Sequence, residues 1–333
     1  MKKIAIEEHV AVLVEQEYKD LAASITKARN FPDIGTDPDR QVSLDKVFNL
    51  PPEEHRIPEM DKADIEIQIL SAGEGFIHND PDFARATANA RLANDRLNAF
   101  AQKHPDRFRC FGILAMQDPQ EAAKEVERIH KEYGFVGVMM HGATLSHFYD
   151  EPQFDPVWAA LEECDMPLYL HPGNRDADQT RIYDGYPEIL ASTWDWGVFG
   201  GTHALRMVFG GVFERHPGAK LILGHMGEHL PYLLGRLDEG AMHRGIPKAD
   251  GRISQKPSYY IKKNIYLTTS GGYYPEAMAC AVMGMGADHI LFACDYPHVD
   301  LGLAVQQVED CTFLTDDQKQ MVYYGSAEKL FKL

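Results

Sequence analysis

Five side chains able to hold or work beside one cation stand at the ends of four short apolar runs: Glu7 and His9 after IAI, His171 closing PLYLH, His225 closing KLILGH, and Asp295 closing HILFACD. Side chains along a strand repeat with period two, so Glu7 and His9 of EEH share one face and Glu8 takes the other. Imidazole and carboxylate groups delivered from separate strand ends are how a protein builds an open, catalytic metal site. A lone histidine at a strand end is more often a hydrogen-bonded core group, and His130, His216, His243 and His289 are read that way. Joint placement at the ends of hydrophobic runs sets the other residues apart.

To converge, these residues need parallel strands laid side by side. The sequence supplies eight runs: KIAI (3–6), EIQILS (66–71), RFRCFGILA (107–115), FVGVMMH (135–141), PLYLH (167–171), KLILGH (220–225), NIYLTTS (264–270) and HILFACD (289–295). Segments such as 82–104 and 119–133 lie between them, with Ala, Leu, Ile and Val at three- and four-residue spacing against Arg, Lys and Glu. Strand and helix in alternation predict an α/β fold with a parallel sheet, and eight repeats predict closure into a (β/α)₈ TIM barrel rather than an open doubly wound sheet. No G-x-G-x-x-G or G-x-x-x-x-G-K-[ST] follows any run, so dinucleotide and P-loop readings lose their main support.

A single barrel domain over 1–333 is expected, interrupted at about 10–55 and 172–200. Both interruptions leave from C-terminal strand ends, the face on which barrels carry their chemistry, and are expected to form lids or substrate walls. Tyr183, Trp194, Trp196 and Phe199 crowd the second of them, a polar loop, and are expected to wall an aromatic pocket.

Lys and Arg number 33 against 50 Asp and Glu, a net charge of −17 spread along the chain. Such a surface repels phosphate backbones and anionic lipid, which argues against nucleic-acid and membrane partners. No apolar run reaches the roughly 20 residues that cross a bilayer, and MKKIAIEEHV turns acidic too early for a signal peptide, so a cytoplasmic protein is expected. The five cysteines are widely spaced and contain no C-x-x-C pair, which argues against a disulfide framework or thiolate site and predicts small buried hydrophobes.

IEEH, LYLHPGN, RIYDGYPEILASTW, GTHALRMVFGGVFERHPGAKLILGHMGEHLPYLLGRLD and ILFACDYPH together resemble the amidohydrolase superfamily. More narrowly they resemble its decarboxylase branch, which includes γ-resorcylate, 2,3-dihydroxybenzoate, 5-carboxyvanillate and aminocarboxymuconate-semialdehyde decarboxylases. The likeness runs from residue 3 to the closing AEKLFKL. It implies that Glu7, His9, His171 and Asp295 are metal ligands, and that His225 with Glu228 of GHMGE forms a catalytic pair beside the metal. Arg56 of HRIPEMD and Arg236 of GRLD match arginines that bind the substrate carboxylate. In related proteins the second reaches in from a neighbouring subunit, which implies a homodimer or homotetramer with a shared active site. Many superfamily members bridge two metals with a lysine ending the fourth strand; FVGVMMHG has none, so one divalent ion, Zn²⁺ or Mn²⁺, and no organic cofactor are expected.

The implied activity is metal-dependent, non-oxidative decarboxylation of an ortho-hydroxybenzoate-like acid in aromatic compound catabolism, with Asp295 delivering the proton to the ring carbon. A hydrolase of a lactone, ester or amide on the same scaffold is the alternative, and a non-catalytic ligand-binding barrel the third reading. Two departures bear on the substrate. His141 stands where the branch usually carries Asn, and apolar Val198 and Phe199 replace a polar pair. His141, Trp194 and Phe199 are therefore expected to contact the substrate and set which ring substituents are accepted.

Overall fold

Eight strands, β1 (Ile4–Val10), β2 (Ile67–Ala72), β3 (Phe108–Gly112), β4 (Gly137–His141), β5 (Leu168–His171), β6 (Leu221–Leu223), β7 (Ile265–Thr268) and β8 (Ile290–Leu291), lie side by side in chain order, each pair parallel. The last returns to the first: Ile6 N–H donates to the Phe292 carbonyl at 3.1 Å and His9 N–H to the Tyr296 carbonyl at 2.7 Å. This is a (β/α)₈ barrel. The computed structural model describes residues 1–32, 39, 44, 47, 48, 50–173, 175–248, 251–272 and 274–333. Every predicted run forms a strand, though β8 keeps only Ile290–Leu291 in the ladder and continues to Asp295 as irregular chain.

The crossover helices begin and end where local chemistry demands. In Pro119–Tyr133 the Asp118 carboxylate accepts from the Gln120 and Glu121 N–H groups, Pro119 occupies the first position, and Gly134 stops the helix in the left-handed region at φ 67°. Its Ala122, Val126 and Ile129 pack onto the outside of the sheet. Inside the barrel a separate cluster of Ile4, Ile6, Ile69, Phe111, Tyr169 and Ile222 fills the cross-section, and Leu330 and Phe331 of the closing helix Ser326–Phe331 form its floor. The barrel is therefore a packed core rather than a pore.

One irregularity decides which side chains reach the barrel interior. Ile4 and Ile6 belong to the interior cluster and Ala5 to the outer one, so strict alternation would send Glu8 inward and turn Glu7 and His9 out. The pairing of β1 with β2 shifts between Ala5↔Gln68 and Glu8↔Leu70, placing three residues of β1 against two of β2. This β-bulge reverses the alternation. Glu7 and His9 enter the barrel, and Glu8 joins Gln68 on the outer face.

That outer face holds Arg56, the arginine expected to bind the substrate carboxylate. Arg56 opens the helix Arg56–Lys62 and is buried. It donates from Nη1 to Gln68 Oε1 at 2.9 Å and from Nη2 to the His9 carbonyl at 2.5 Å, and lies over the Tyr296 ring at 4.6 Å. Gln68 Nε2 in turn donates to Glu8 Oε2 at 3.0 Å, and the Cys294 N–H donates to Glu8 Oε1 at 3.1 Å. Two of the guanidinium's five N–H donors thus hold the strand that carries the site from behind.

Both interruptions lead over the barrel mouth. The first contains the helix Gln16–Ala28 and is anchored at its start by Glu74, whose Oε1 accepts from Val12 and Leu13 N–H at 2.7 and 2.8 Å. Parts of it, at 33–38, 40–43, 45, 46 and 49, lie outside the described residues, as does residue 174 in the second. All five cysteines are free; Cys110, Cys294 and Cys311 are buried as expected, while Cys164 and Cys280 are half-buried. Among the described residues no helix is long and apolar enough to cross a membrane.

Arg56→Ala leaves the buried Gln68 Oε1 and the His9 carbonyl without this donor and is therefore expected to destabilise the fold by about 1–3 kcal/mol in urea unfolding. An unchanged unfolding midpoint accompanied by a raised KM would return Arg56 to the substrate.

Candidate metal centre

Glu7, His9, His171 and Asp295 each offer one ligand atom, and the four atoms lie within 4.8 Å of one another. Glu7 and His9 come from β1, His171 from the end of β5, and Asp295 from the chain leaving β8. Asp295 Oδ1 is 3.2 Å from His9 Nε2, and Glu7 Oε1 is 3.5 Å from His171 Nε2. His225, just beyond β6, completes the ring of side chains with Nε2 3.4 Å from Glu7 Oε1. The side chains of Asp295 and His225 are 21 % and 23 % exposed against 0 % for Glu7 and 4 % for His9, so the centre opens to solvent on the Asp295 and His225 side.

The surroundings dictate which nitrogen of His171 faces the centre. The Pro172 carbonyl lies 2.9 Å from His171 Nδ1, and a carbonyl only accepts, so the proton is on Nδ1 and Nε2 carries a lone pair. That lone pair points at Glu7 Oε1, a buried carboxylate oxygen with no hydrogen-bond partner. His9 Nε2 is likewise buried without one. The His171 Nε2 lone pair and the Glu7 carboxylate oxygen, turned toward each other in a buried site, repel unless a cation stands between them. The donor set of one imidazole pair and two carboxylates fits a single divalent ion of the Zn²⁺ or Mn²⁺ kind.

A second layer orients these groups. Ser71, opposite His9 in the β1–β2 register, places Oγ 3.0 Å from His9 Nδ1. Thr268 Oγ1 donates to Glu7 Oε2 at 3.2 Å, and Ser270 Oγ donates to the same oxygen. Thr268 and Ser270 were not singled out in the sequence; their alternation at the end of NIYLTTS was the available signal.

Glu228 Oε1 lies 2.7 Å from His225 Nδ1, uniting the expected catalytic pair. Burial opposes charge on His225, but Glu7, the hydrogen bond to Glu228 and Asp295 outweigh it and push the imidazole up to about 10. A cation held by Glu7 and Asp295 would cancel their share and leave Glu228 as the partner that keeps the ring oriented. Burial raises the Asp295 carboxyl, yet His9, His298 and His225 hold it below its ordinary value. His225, Met226, Glu228, His229 and Asp295 all sit at positive φ, between 47° and 70°. Each such non-glycine residue costs on the order of 1–3 kcal/mol, so the surrounding packing must impose these turns.

The helix Asp195–Phe209 supplies part of that packing. A Cβ on Gly201 would stand 2.7 Å from the Glu228 carbonyl oxygen, so only glycine lets the helix lie so close over the catalytic pair. Arg175 and Asp195 form a buried ion pair within the second interruption, and Arg29 Nη2 donates to Ser146 Oγ and Asp176 Oδ2, both at 2.8 Å. That latch joins the first interruption to the second across the mouth and was not foreseen.

The remaining expected residues are dispersed. Trp194 is about half exposed, its ring 5.2 Å from His229; Tyr183 is buried and Trp196 half-buried. Phe199 packs against Phe148 at 5.5 Å and under the Arg175 guanidinium at 4.9 Å. Arg236 is 79 % exposed and lies 3.4 Å from Glu239 on its own helix. His141 Nε2 donates to the Ala72 carbonyl at 3.1 Å and its Nδ1 lies 3.2 Å from His171 Nδ1, so both ring nitrogens have protein neighbours.

The chain matches the amidohydrolase family over residues 16–333. It is 37 % identical to the γ-resorcylate decarboxylase of Polaromonas sp. (strain JS666), covering 99 % of this chain and 98 % of that one. Among solved structures it superposes with a TM-score of 0.88 on 2,6-dihydroxybenzoate decarboxylase complexed with 2,6-dihydroxybenzoate, at 32 % identity and 100 % coverage of both chains. The dihydroxybenzoic acid decarboxylase of Polaromonas sp. JS666, with bound manganese and the inhibitor 2-nitroresorcinol, gives the same TM-score at 35 % identity, covering 100 % of this chain and 97 % of that one.

Elemental analysis of the purified protein is expected to find one divalent ion per chain. Chelation should abolish activity and Mn²⁺ should restore it. Two ions per chain, or full occupancy retained by His171→Ala, would mean the ligand set is misassigned.

Proposed function

Since the chain belongs to the amidohydrolase family, we propose that it is a metal-dependent, non-oxidative decarboxylase of an ortho-hydroxybenzoate-like carboxylic acid, a carboxy-lyase of aromatic catabolism with no organic cofactor. The observation that carries the reading is the cluster of Glu7, His9, His171 and Asp295, with Glu7 Oε1 and His9 Nε2 buried and without a hydrogen bond, in a chain whose relatives of matching length are decarboxylases. Hydrolysis on the same scaffold finds no comparable support among those relatives.

Glu7, His9, His171 and Asp295 would hold the ion. When bound, it would supply a fixed anchor for the substrate carboxylate and ortho hydroxyl and make that hydroxyl more acidic. Asp295, on the open side, takes the hydroxyl proton and passes it to the ring carbon that bears the carboxylate. Protonation makes that carbon tetrahedral, the bond to the carboxylate then breaks, and its electron pair restores the aromatic ring as CO₂ leaves. The phenolate that remains is protonated from solvent as product departs. His225, held by Glu228, faces the hydroxyl and steadies its developing negative charge. Trp194 stands at the rim beside this pair and is proposed as an aromatic contact for the ring, with Phe199 backing the wall.

Arg236 is proposed to meet the substrate carboxylate of a neighbouring subunit in a homodimer or homotetramer. Its exposure in the isolated chain supports this, as do exposed Tyr232 and Met242 on its own helix and Met283 on the helix Pro275–Met285 packed beside it. A cytoplasmic place of action is supported by five free cysteines.

A CO₂-release screen over salicylate and the dihydroxybenzoate isomers, with Mn²⁺-loaded protein, is expected to give turnover on at least one ortho-hydroxy acid. Asp295→Asn should then lower kcat by about 10²–10⁴, the contribution of a positioned acid–base group. Hydrolysis of lactones or esters with no CO₂ from any of these acids would reject the reading. For the shared site, mixing inactive Arg236→Ala and inactive Asp295→Ala proteins should restore activity as mixed oligomers form one intact site. No recovery despite demonstrated subunit exchange would place Arg236 outside the chemistry.

A further inference from the structure

We propose that His141 is a positioning residue of the metal centre: as a second acceptor beside the Pro172 carbonyl, it holds the ring plane of His171 so that Nε2 of the latter is presented to the ion. The proposal rests on the ligand set given above.

The argument starts from two backbone carbonyls. The Ala72 carbonyl, 3.1 Å from His141 Nε2, only accepts, so that nitrogen carries a proton. The Pro172 carbonyl, 2.9 Å from His171 Nδ1, requires a proton there as well. His141 Nδ1 lies 3.2 Å from His171 Nδ1 and can contribute only a lone pair, since a second N–H would oppose the first. The chain of contacts then has one consistent direction. His171 Nδ1–H is shared between Pro172 and His141, His141 Nε2–H ends on Ala72, and His171 Nε2 is left with the lone pair that faces Glu7 Oε1.

The fold holds His141 in that role from several sides. It pairs with His171 in the β4–β5 register, and Gly142 N–H donates to the His171 carbonyl at 2.8 Å. A Cβ on Gly173 would lie 2.3 Å from the His141 carbonyl oxygen, so a glycine is required where the chain after β5 crosses the end of β4. The His78 ring, fully buried, stacks against His141 with centroids 5.8 Å apart and planes 27° apart. Carbonyl and imidazole partners behind a ligating histidine raise its basicity and set its orientation, and their loss costs about 10- to 100-fold in metal affinity.

The test compares wild type, His141→Phe, His141→Gln, His141→Asn and His171→Ala. Mn²⁺ dissociation constants are read from the electron paramagnetic resonance signal of free Mn²⁺, and melting temperatures from the metal-free proteins. Phe offers no acceptor, and Gln replaces Nε2 without an acceptor at the Nδ1 position; both are expected to bind Mn²⁺ about 10- to 100-fold more weakly. Asn places an amide oxygen near the Nδ1 position and is expected to recover most of that loss. Metal-free melting temperatures of the Gln and Asn variants should match each other, separating the hydrogen bond from a packing effect. Wild-type affinity in both the Phe and Gln variants, or equal loss in Gln and Asn, overturns the proposal. Undiminished affinity in His171→Ala instead overturns the ligand set, whereas loss there with none in the Phe and Gln variants overturns the positioning role alone.

Discussion

The site depends on a single extra residue in β1. Three residues against two in the pairing with β2 turn Glu7 and His9 into the barrel after Ile4 and Ile6 have already faced there. Without that bulge, the period of two would point one carboxylate, Glu8, at the centre and leave two ligands in the outer layer. The same step puts Glu8 on the outside, where Gln68 and Arg56 meet it and where burial pushes its carboxyl up to about 8. The clamp behind the strand and the ligands in front of it are thus two faces of one backbone irregularity.

Around this strand the barrel spends polar groups in pairs. Every side chain proposed to bind the ion has a protein partner recorded near an atom away from the centre or, for Asp295, a cluster of imidazoles beside it: Ser71 for His9, Thr268 and Ser270 for Glu7, Pro172 and His141 for His171. Such partners restrict rotamers before any ligand arrives, so less ordering remains to be done on binding. The turns at His225–His229 and at Asp295 run in the opposite sense, holding non-glycine residues at positive φ. Backbone strain of that kind persists only when neighbours over-determine it, and the close approach of the helix Asp195–Phe209 to Glu228 is one such neighbour.

The two interruptions are tied to each other through one side chain. Arg29, at the end of the helix Gln16–Ala28, reaches to Ser146 after β4 and Asp176 after β5, while Arg175 and Asp195 pair within the second interruption. Charge-assisted contacts between segments more than a hundred residues apart in sequence make the wall of the site a tertiary product. The aromatic residues expected to line it divide accordingly: Trp194 stands at the rim near His229, whereas Phe199 is taken up by Phe148 and Arg175.

The sequence by itself determined the architecture and the identity of the converging groups. Period-two runs and helical spacing are local properties, so eight strands, their order and the residues ending them could be read before any packing was known. Glu7, His9, His171, His225 and Asp295 were legible because parallel strands necessarily bring their C-terminal ends to one face. What only the tertiary structure decided was direction. A bulge is a relation between two strands and leaves no mark in the spacing of either, so the face taken by Glu7 could not be derived from IAIEEHV. The His9 carbonyl that meets Arg56 Nη2 and the Ala72 carbonyl that meets His141 Nε2 are distant in sequence from both side chains. Hydrogen bonds are short-ranged and directional, and which acceptor a side chain meets is fixed by the fold rather than by its residue type.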